Sequence, residues 1–157
     1  MLSRLQKTMV GHASLILLIA MSAGLGLLVS LVGGMELIPG HIIDFTIFGD
    51  HAAWARTHVG GILNALMIIA FALVIPGLGF RDIVARRVGW MLIGTGWANT
   101  AFYWGALLSP NRALTFGANK FGPTTIAGIL GLAPALIFVF VSIVAVALVA
   151  RQAFTSR

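Results

Sequence analysis

Polar side chains interrupt the apolar sequence at two places. The segment WARTHVGGILN carries His58 and Asn64, and the segment GWANTAFY carries Asn99 and Tyr103. An imidazole or an amide in hydrocarbon is costly unless it finds a partner, so polar residues inside a membrane segment are functional candidates. An imidazole can hold a metal ion, and amide and phenol groups can donate hydrogen bonds to a ligand. The two segments therefore predict a site, provided that the fold brings them together.

Each of these residues also has a purely structural explanation. His58 could be an interfacial histidine whose hydrogen bonds are satisfied at a helix end. Asn64 and Asn99 could join two helices through hydrogen bonds, and Tyr103 could belong to an interfacial belt of aromatic residues. The two interpretations stay open at this point, because the sequence alone does not show which partners these groups meet.

The composition is that of an integral membrane protein. The chain has 157 residues, of which 59% are hydrophobic and 9% are charged, and its mean hydropathy is +1.03. A soluble domain has about a quarter of its residues charged. The basic residues are scattered at the ends of apolar runs and form no patch, which excludes a nucleic-acid partner. The absence of cysteine from the sequence excludes disulfides and thiolate chemistry.

Four apolar runs are long enough to cross the roughly 30 Å hydrocarbon core at about 1.5 Å per residue. They lie near residues 10–33, 58–80, 88–108 and 124–150. The sequence therefore predicts one all-α domain over residues 1–157, an integral membrane four-helix bundle.

Two residue stripes indicate how the predicted helices pack. Small residues on one side of the first helix let a neighbouring helix approach closely in lipid: Ser22, Ala23, Gly24 and Gly26. Tryptophans spaced by seven share one face of the third helix, and packing is the favoured interpretation, although Trp97 and Trp104 near the level of Tyr103 are also candidates for lining a pocket: Trp90, Trp97 and Trp104.

The distribution of basic residues orients the chain. Four spans place both termini on one side, and the positive-inside rule makes the more basic side cytoplasmic. We therefore expect both termini in the cytoplasm. The terminal side carries seven basic residues and the opposite side three. They are Arg4, Lys7, Arg81, Arg86, Arg87, Arg151 and Arg157 on the terminal side, and Arg56, Arg112 and Lys120 on the other.

This topology places the polar side chains at comparable depth. His58 lies at the outer end of the second span, and Asn64 lies roughly 9 Å deeper. Tyr103 lies roughly 7–8 Å below the outer end of the third span, and Asn99 lies one turn deeper on the same face. All four are expected in the outer half of the bilayer, on neighbouring helices.

The remaining residues narrow the possible chemistry. The four acidic residues fall in loops, which weakens proton pumping and carboxylate-pair hydrolysis. The sequence has neither a HExxH zinc motif nor a nucleophile elbow. One deep histidine with free space opposite it fits a five-coordinate haem. A haem with two histidine ligands is less apt, because His12 lies in the opposite leaflet from His58.

The motifs resemble those of the styrene oxide isomerase family, small bacterial membrane enzymes. They cover nearly the whole chain, and the longest of them are specific. They are GH at 11–12, LVGGMELIPGHII at 31–43, WARTHVGGILN at 54–64, PGLGFRDIVAR at 76–86, GWANTAFY at 96–103 and SPNRALTFGANKFGP at 109–123. One position departs from the resemblance, because Thr95 stands where it would place an acidic residue.

The resemblance implies a redox-neutral conversion of an aryl epoxide to an aldehyde, such as styrene oxide to phenylacetaldehyde, in the bacterial inner membrane. It implies ferric haem b as the cofactor, held at protomer interfaces of a homotrimer with His58 as the axial ligand. It further implies that Asn64 and Tyr103 act on the substrate oxygen. Two other functions remain open: a haem-containing membrane anchor for electron transfer, and a small channel or transporter subunit.

The segment SPNRALTFGANKFGP is expected to be structural, because its Pro, Gly and Asn residues suit a loop folded over the outer helix ends. We expect Asn111 and Arg112 to hold this loop together. Arg112 should bind backbone carbonyls or an acidic residue such as Asp44 or Asp50.

Overall fold

The structure, a computed structural model, describes residues 1–155 and is built mainly from four long helices. Arg157, one of the basic residues used to orient the chain, lies outside the described residues. A short 3-10 helix, Ile75–Leu78, extends the second long helix. The long helices are α1 (Arg4–Val32), α2 (His51–Val74), α3 (Asp82–Leu107) and α4 (Ile126–Thr155).

Three of these helices are long and apolar enough to cross a membrane: α1, α2 with its 3-10 extension, and α4. The chain is therefore a membrane protein. The predicted third span, 88–108, coincides with α3, which is long enough but falls outside this set. Its asparagine, threonine and tryptophan residues lower its hydropathy, and α3 packs against all three other helices.

The predicted loop before the second span is partly ordered into regular structure. It contains an antiparallel hairpin of β1 (Gly34–Ile38) and β2 (His41–Asp44), so the expectation of helices alone is incomplete. Helix α2 also begins earlier than expected, because the side chain of Asp50 caps it by accepting a hydrogen bond from the Ala53 amide at 2.6 Å. His58 therefore lies about two turns inside α2 and not at its start.

The helices do not form a symmetric bundle. Helices α1, α2 and α3 supply most of one apolar core, in which the side chains of Met9, Ile16, Ile68 and Leu92 are fully buried, and α4 adds Ala145 and Val149 to it. Helix α4 contacts mainly α3. Glycines make that contact close, because a Cβ atom built on Gly105 would lie 3.0 Å from the Cα atom of Gly131. The four predicted helices are thus present and contribute to one core, with α4 joined mainly to α3.

Candidate functional site

The structure brings Asn64, Asn99 and Tyr103 together between α2 and α3. The amide nitrogen of Asn99 donates a hydrogen bond to the amide oxygen of Asn64 at 2.9 Å. The amide nitrogen of Asn64 donates to the carbonyl oxygen of Gly60 at 2.8 Å, and the ring of Tyr103 packs on Gly60. The three polar side chains predicted to share a depth are therefore neighbours in space.

The hydrogen bond between Asn64 and Asn99 also joins α2 and α3, as expected if these residues have a structural role. The hydrogen bonds of this pair do not use every donor, because an amide group carries two N–H bonds. Asn64 is buried and Asn99 is half-buried. Each of the two amide groups donates one described hydrogen bond, so one N–H of each is left for a ligand.

His58 lies on the side of α2 that faces α1. Its Nδ1 atom is 2.8 Å from the carbonyl oxygen of Ala20. Because a carbonyl oxygen only accepts, Nδ1 carries the proton, and Nε2 presents its lone pair. A metal-ligating histidine commonly donates its second N–H to a carbonyl in this way. His58 and its carbonyl partner therefore fit the role of a histidine that would hold a haem iron.

The predicted convergence of His58 with Tyr103 does not occur within one chain. Gly60, on which Tyr103 packs, follows His58 by two residues, and residues two apart on a helix do not face each other. His58 instead contacts Gly24 of α1, and Tyr103 lies on the α3 side. The two side chains share a depth but lie on nearly opposite faces of α2.

A small cavity lies beside Tyr103, between α2, α3 and the loop that follows α3. Its volume is about 180 Å³. Apolar side chains and two arginines surround it. Its lining includes Arg56, Phe102, Tyr103, Ala106, Arg112 and Leu114.

Comparison with known proteins identifies the family. A family model described as styrene oxide isomerase matches residues 5–154. The chain belongs to the styrene oxide isomerase family. A curated relative from Pseudomonas fluorescens, named styrene-oxide isomerase, is 44% identical over 156 residues, covering 99% of this chain and 92% of the relative. The predicted resemblance is thus confirmed, and the chain is an isomerase.

In this member of the family, the loop after α3 is organised by Asn111, which is fully buried. Its amide oxygen accepts hydrogen bonds from the Ser109 hydroxyl at 2.7 Å and from the Ala113 backbone amide at 3.0 Å. Its amide nitrogen donates to the carbonyl oxygens of Thr115 and Gly117. These bonds fit the predicted structural role of Asn111.

Arg112 has an aromatic partner, whereas backbone carbonyls or an acidic residue were expected. Its guanidinium carbon lies 4.1 Å from the centre of the Phe121 ring, an arrangement in which a cation is attracted to the ring face. Arg112 has a positive φ of 59°. Both Arg112 and Phe121 belong to the loop that follows α3.

His12 and the tryptophans form a separate contact deeper in the bundle. The indole nitrogen of Trp97 donates a hydrogen bond to Nδ1 of His12 at 3.1 Å, and the His12 ring meets Trp90 and Trp97 edge to face. Trp104 packs on Trp54. These contacts fit the packing interpretation of the tryptophan stripe and a structural role for His12.

Sequence reasoning missed the partners that hold the site residues. The carbonyl of Ala20 has no side-chain signature, so nothing in the sequence marks it. Gly24 belongs to the small-residue stripe predicted to serve helix packing, but its contact is the His58 ring. Ser22, from the same small-residue stripe, is exposed and hydrogen-bonds within its own helix. In residues 1–155, no group of three or more His, Cys, Asp or Glu side chains is placed to bind a metal ion.

Proposed function

We propose that this chain is a haem b-dependent isomerase that converts aryl epoxides such as styrene oxide into aldehydes such as phenylacetaldehyde. Family membership and the name of the Pseudomonas relative support the reaction. The hydrogen bond from His58 to Ala20 carries the cofactor assignment, because it leaves Nε2 free as a ligand.

Ferric haem, when bound by His58, supplies a Lewis acid that weakens the benzylic C–O bond of an epoxide. The reaction is balanced within the substrate: that bond breaks, a hydride moves from the neighbouring carbon to the benzylic carbon, and the C–O double bond forms. No external electron donor or base is needed. This requirement agrees with a chain whose four acidic residues lie outside the apolar helix centres.

Tyr103 and Asn64 are proposed to position the epoxide oxygen. Negative charge develops on that oxygen as the ring opens, and fixed hydrogen-bond donors stabilise it. The Tyr103 hydroxyl and the second N–H of the Asn64 amide are the donors. The apolar walls beside Tyr103 keep water from the benzylic carbon, where it would form a diol.

The opposed faces of α2 support a site shared between chains. If His58 and Tyr103 serve one substrate, then one chain must supply the histidine and a second chain the tyrosine. A self-complementary dimer patch would need both residues on the same face. Contacts between two different faces generate a ring when the rotation closes, and the family resemblance implies three chains, so we propose a homotrimer with haem at each protomer interface.

The proposed location is the bacterial inner membrane, with both termini in the cytoplasm. The apolar helices and the excess of basic residues on the terminal side support this orientation. An apolar epoxide dissolves in lipid, so an enzyme in the membrane meets its substrate where it accumulates.

Purification of the chain and assay with styrene oxide test this function. We expect a coloured protein whose optical spectrum is that of a five-coordinate haem. We also expect phenylacetaldehyde to form without added reductant. A low-spin, six-coordinate haem without isomerase activity would instead establish an electron-transfer anchor. A colourless protein that still forms aldehyde would remove haem from the proposal.

A further inference from the structure

Two glycines of the membrane helices lie directly beneath the rings of His58 and Tyr103. A Cβ atom on Gly24 of α1 would lie 2.7 Å from Cε1 and 2.8 Å from Nδ1 of His58. A Cβ atom on Gly60 of α2 would overlap the ring of Tyr103 and lie 2.9 Å from its hydroxyl oxygen. Real Cβ atoms essentially never come this close, so each ring occupies space that any other residue would fill.

We propose that Gly24 and Gly60 are positioning residues: Gly24 fixes the orientation of the His58 imidazole, and Gly60 fixes the Tyr103 hydroxyl. The consequences for haem and turnover rest on the function proposed above. The two glycines act on different faces of α2, and their effects on the enzyme are therefore separable.

One turn of α1 holds the His58 ring. The carbonyl of Ala20 accepts the hydrogen bond from His58, and Gly24, four residues later, lies against the same ring. A methyl group at residue 24 pushes the ring away and weakens the Nδ1 hydrogen bond. Loss of such a partner of a metal-ligating histidine lowers metal affinity about 10–100-fold, and we expect that loss of haem affinity in Gly24→Ala.

Gly60 lies on α2 at the level of Tyr103 on α3. Thr57, one turn earlier on α2, donates a hydrogen bond to the Tyr103 backbone carbonyl at 3.3 Å, which holds the two backbones close. A methyl group at residue 60 therefore displaces the phenol ring outward. Gly60→Ala should lower turnover per haem about ten- to a hundred-fold and leave haem affinity unchanged, because His58 lies on the other face.

Two other glycines provide matched controls. Gly11 on α1 has nothing within 4 Å of an added Cβ atom, so Gly11→Ala tests the substitution in open space. Gly96 on α3 is packed as tightly, with an added Cβ atom 2.6 Å from Cδ1 of Ile68 and 2.9 Å from Cδ1 of Ile16. Gly96→Ala therefore perturbs the core without touching His58 or Tyr103.

Haem titration of the apoprotein and the optical spectrum of the product test Gly24. We expect weaker binding and an altered spectrum in Gly24→Ala, with wild-type behaviour in Gly11→Ala. Haem affinity equal to wild type in Gly24→Ala would overturn the assignment. So would an equal loss in Gly96→Ala, since the effect would then be general packing.

The position of Tyr103 can be followed without activity, because it is the one tyrosine in the chain. Protein labelled with 13C at the tyrosine Cζ atom gives one resonance, which should shift in Gly60→Ala and stay unchanged in Gly96→Ala and Gly11→Ala. An unchanged resonance in Gly60→Ala would overturn the positioning role.

A double-mutant cycle connects this displacement to turnover. If Gly60→Ala acts through the hydroxyl, it should cost nothing further in a Tyr103→Phe background. Additive losses would overturn the assignment of its effect to Tyr103. A shifted resonance with wild-type turnover in both single variants would support the positioning of the ring and would overturn the proposed role of Tyr103 in the reaction.

Discussion

The Nδ1 atom of His58 on α2 donates a hydrogen bond to the carbonyl oxygen of Ala20 on α1 across 2.8 Å. This bond fixes the protonated nitrogen and leaves Nε2 as the nitrogen with a free lone pair. A carbonyl in the middle of a helix normally accepts only from its own helix, so a second donor at Ala20 ties the imidazole to the helix scaffold.

His58→Ala should abolish haem binding. The imidazole is the ligand that the geometry leaves free, and no neighbouring side chain replaces it. His12→Ala is the control, because His12 is engaged with Trp97. The measurement is haem content after purification without imidazole, and full haem retention in His58→Ala would refute the ligand assignment.

Tyr103→Phe and Asn64→Ala should each lower turnover while haem content stays nearly unchanged. One positioned hydrogen bond to a developing oxyanion is worth about 10²–10³ in rate, and the Lewis acid shares that charge, so we expect a loss of about ten- to a hundred-fold. Aldehyde formed per haem from styrene oxide is the quantity to compare. Wild-type turnover in both variants would show that the hydrogen bonds are dispensable.

A mixture of two impaired variants should regain activity if the site is shared between chains. His58→Ala supplies an intact tyrosine face, and a chain with both Asn64→Ala and Tyr103→Phe supplies an intact histidine face. Co-expression and copurification through two different tags should give aldehyde formation above that of either variant alone. Mixed assemblies that stay at the level of the single variants would place the whole site within one chain.

Asn111→Ala should destabilise the loop after α3 and leave turnover per assembled haem largely intact. The substitution removes the partner of two buried groups, the Ser109 hydroxyl and the Ala113 amide, and each group left unpaired costs about 1–3 kcal/mol. Arg112→Ala should have a smaller effect on stability, because one cation–π contact is lost. Thermal unfolding in detergent compares the two, and normal assembly with abolished turnover in Arg112→Ala would make Arg112 part of the reaction site.

A reporter fused to the C-terminus should give a cytoplasmic signal. The seven-to-three distribution of basic residues predicts this orientation. A fusion within the β1–β2 hairpin, at Gly40, should report the opposite compartment. Reversed signals would exchange the two sides of the membrane for every residue, while the shared depth of Asn64, Asn99 and Tyr103 would remain.

The sequence was sufficient for the positions of the helices and the shared depth of Asn64, Asn99 and Tyr103, because rise per residue converts sequence number into depth. The sequence did not predict the start of α2. There the polar residues that precede the apolar run are already helical, because Asp50 caps the helix before them. The sequence also could not give the partner of His58, because the backbone carbonyl of Ala20 leaves no trace in residue type. The sequence therefore predicts the polar side chains of the site but not the backbone groups that they contact.

His58 lies on one face of helix α2, and the opposite face packs around Tyr103. This arrangement determines how many complete sites an assembly has for each chain. Suppose that each site forms between the histidine face of one chain and the tyrosine face of another. An open assembly then always leaves one histidine face and one tyrosine face unpaired at its ends. Two chains would then make one complete site, whereas a closed ring makes as many sites as it has chains. Activity per chain should therefore increase when the ring closes and should fall on dilution into detergent before any helix unfolds.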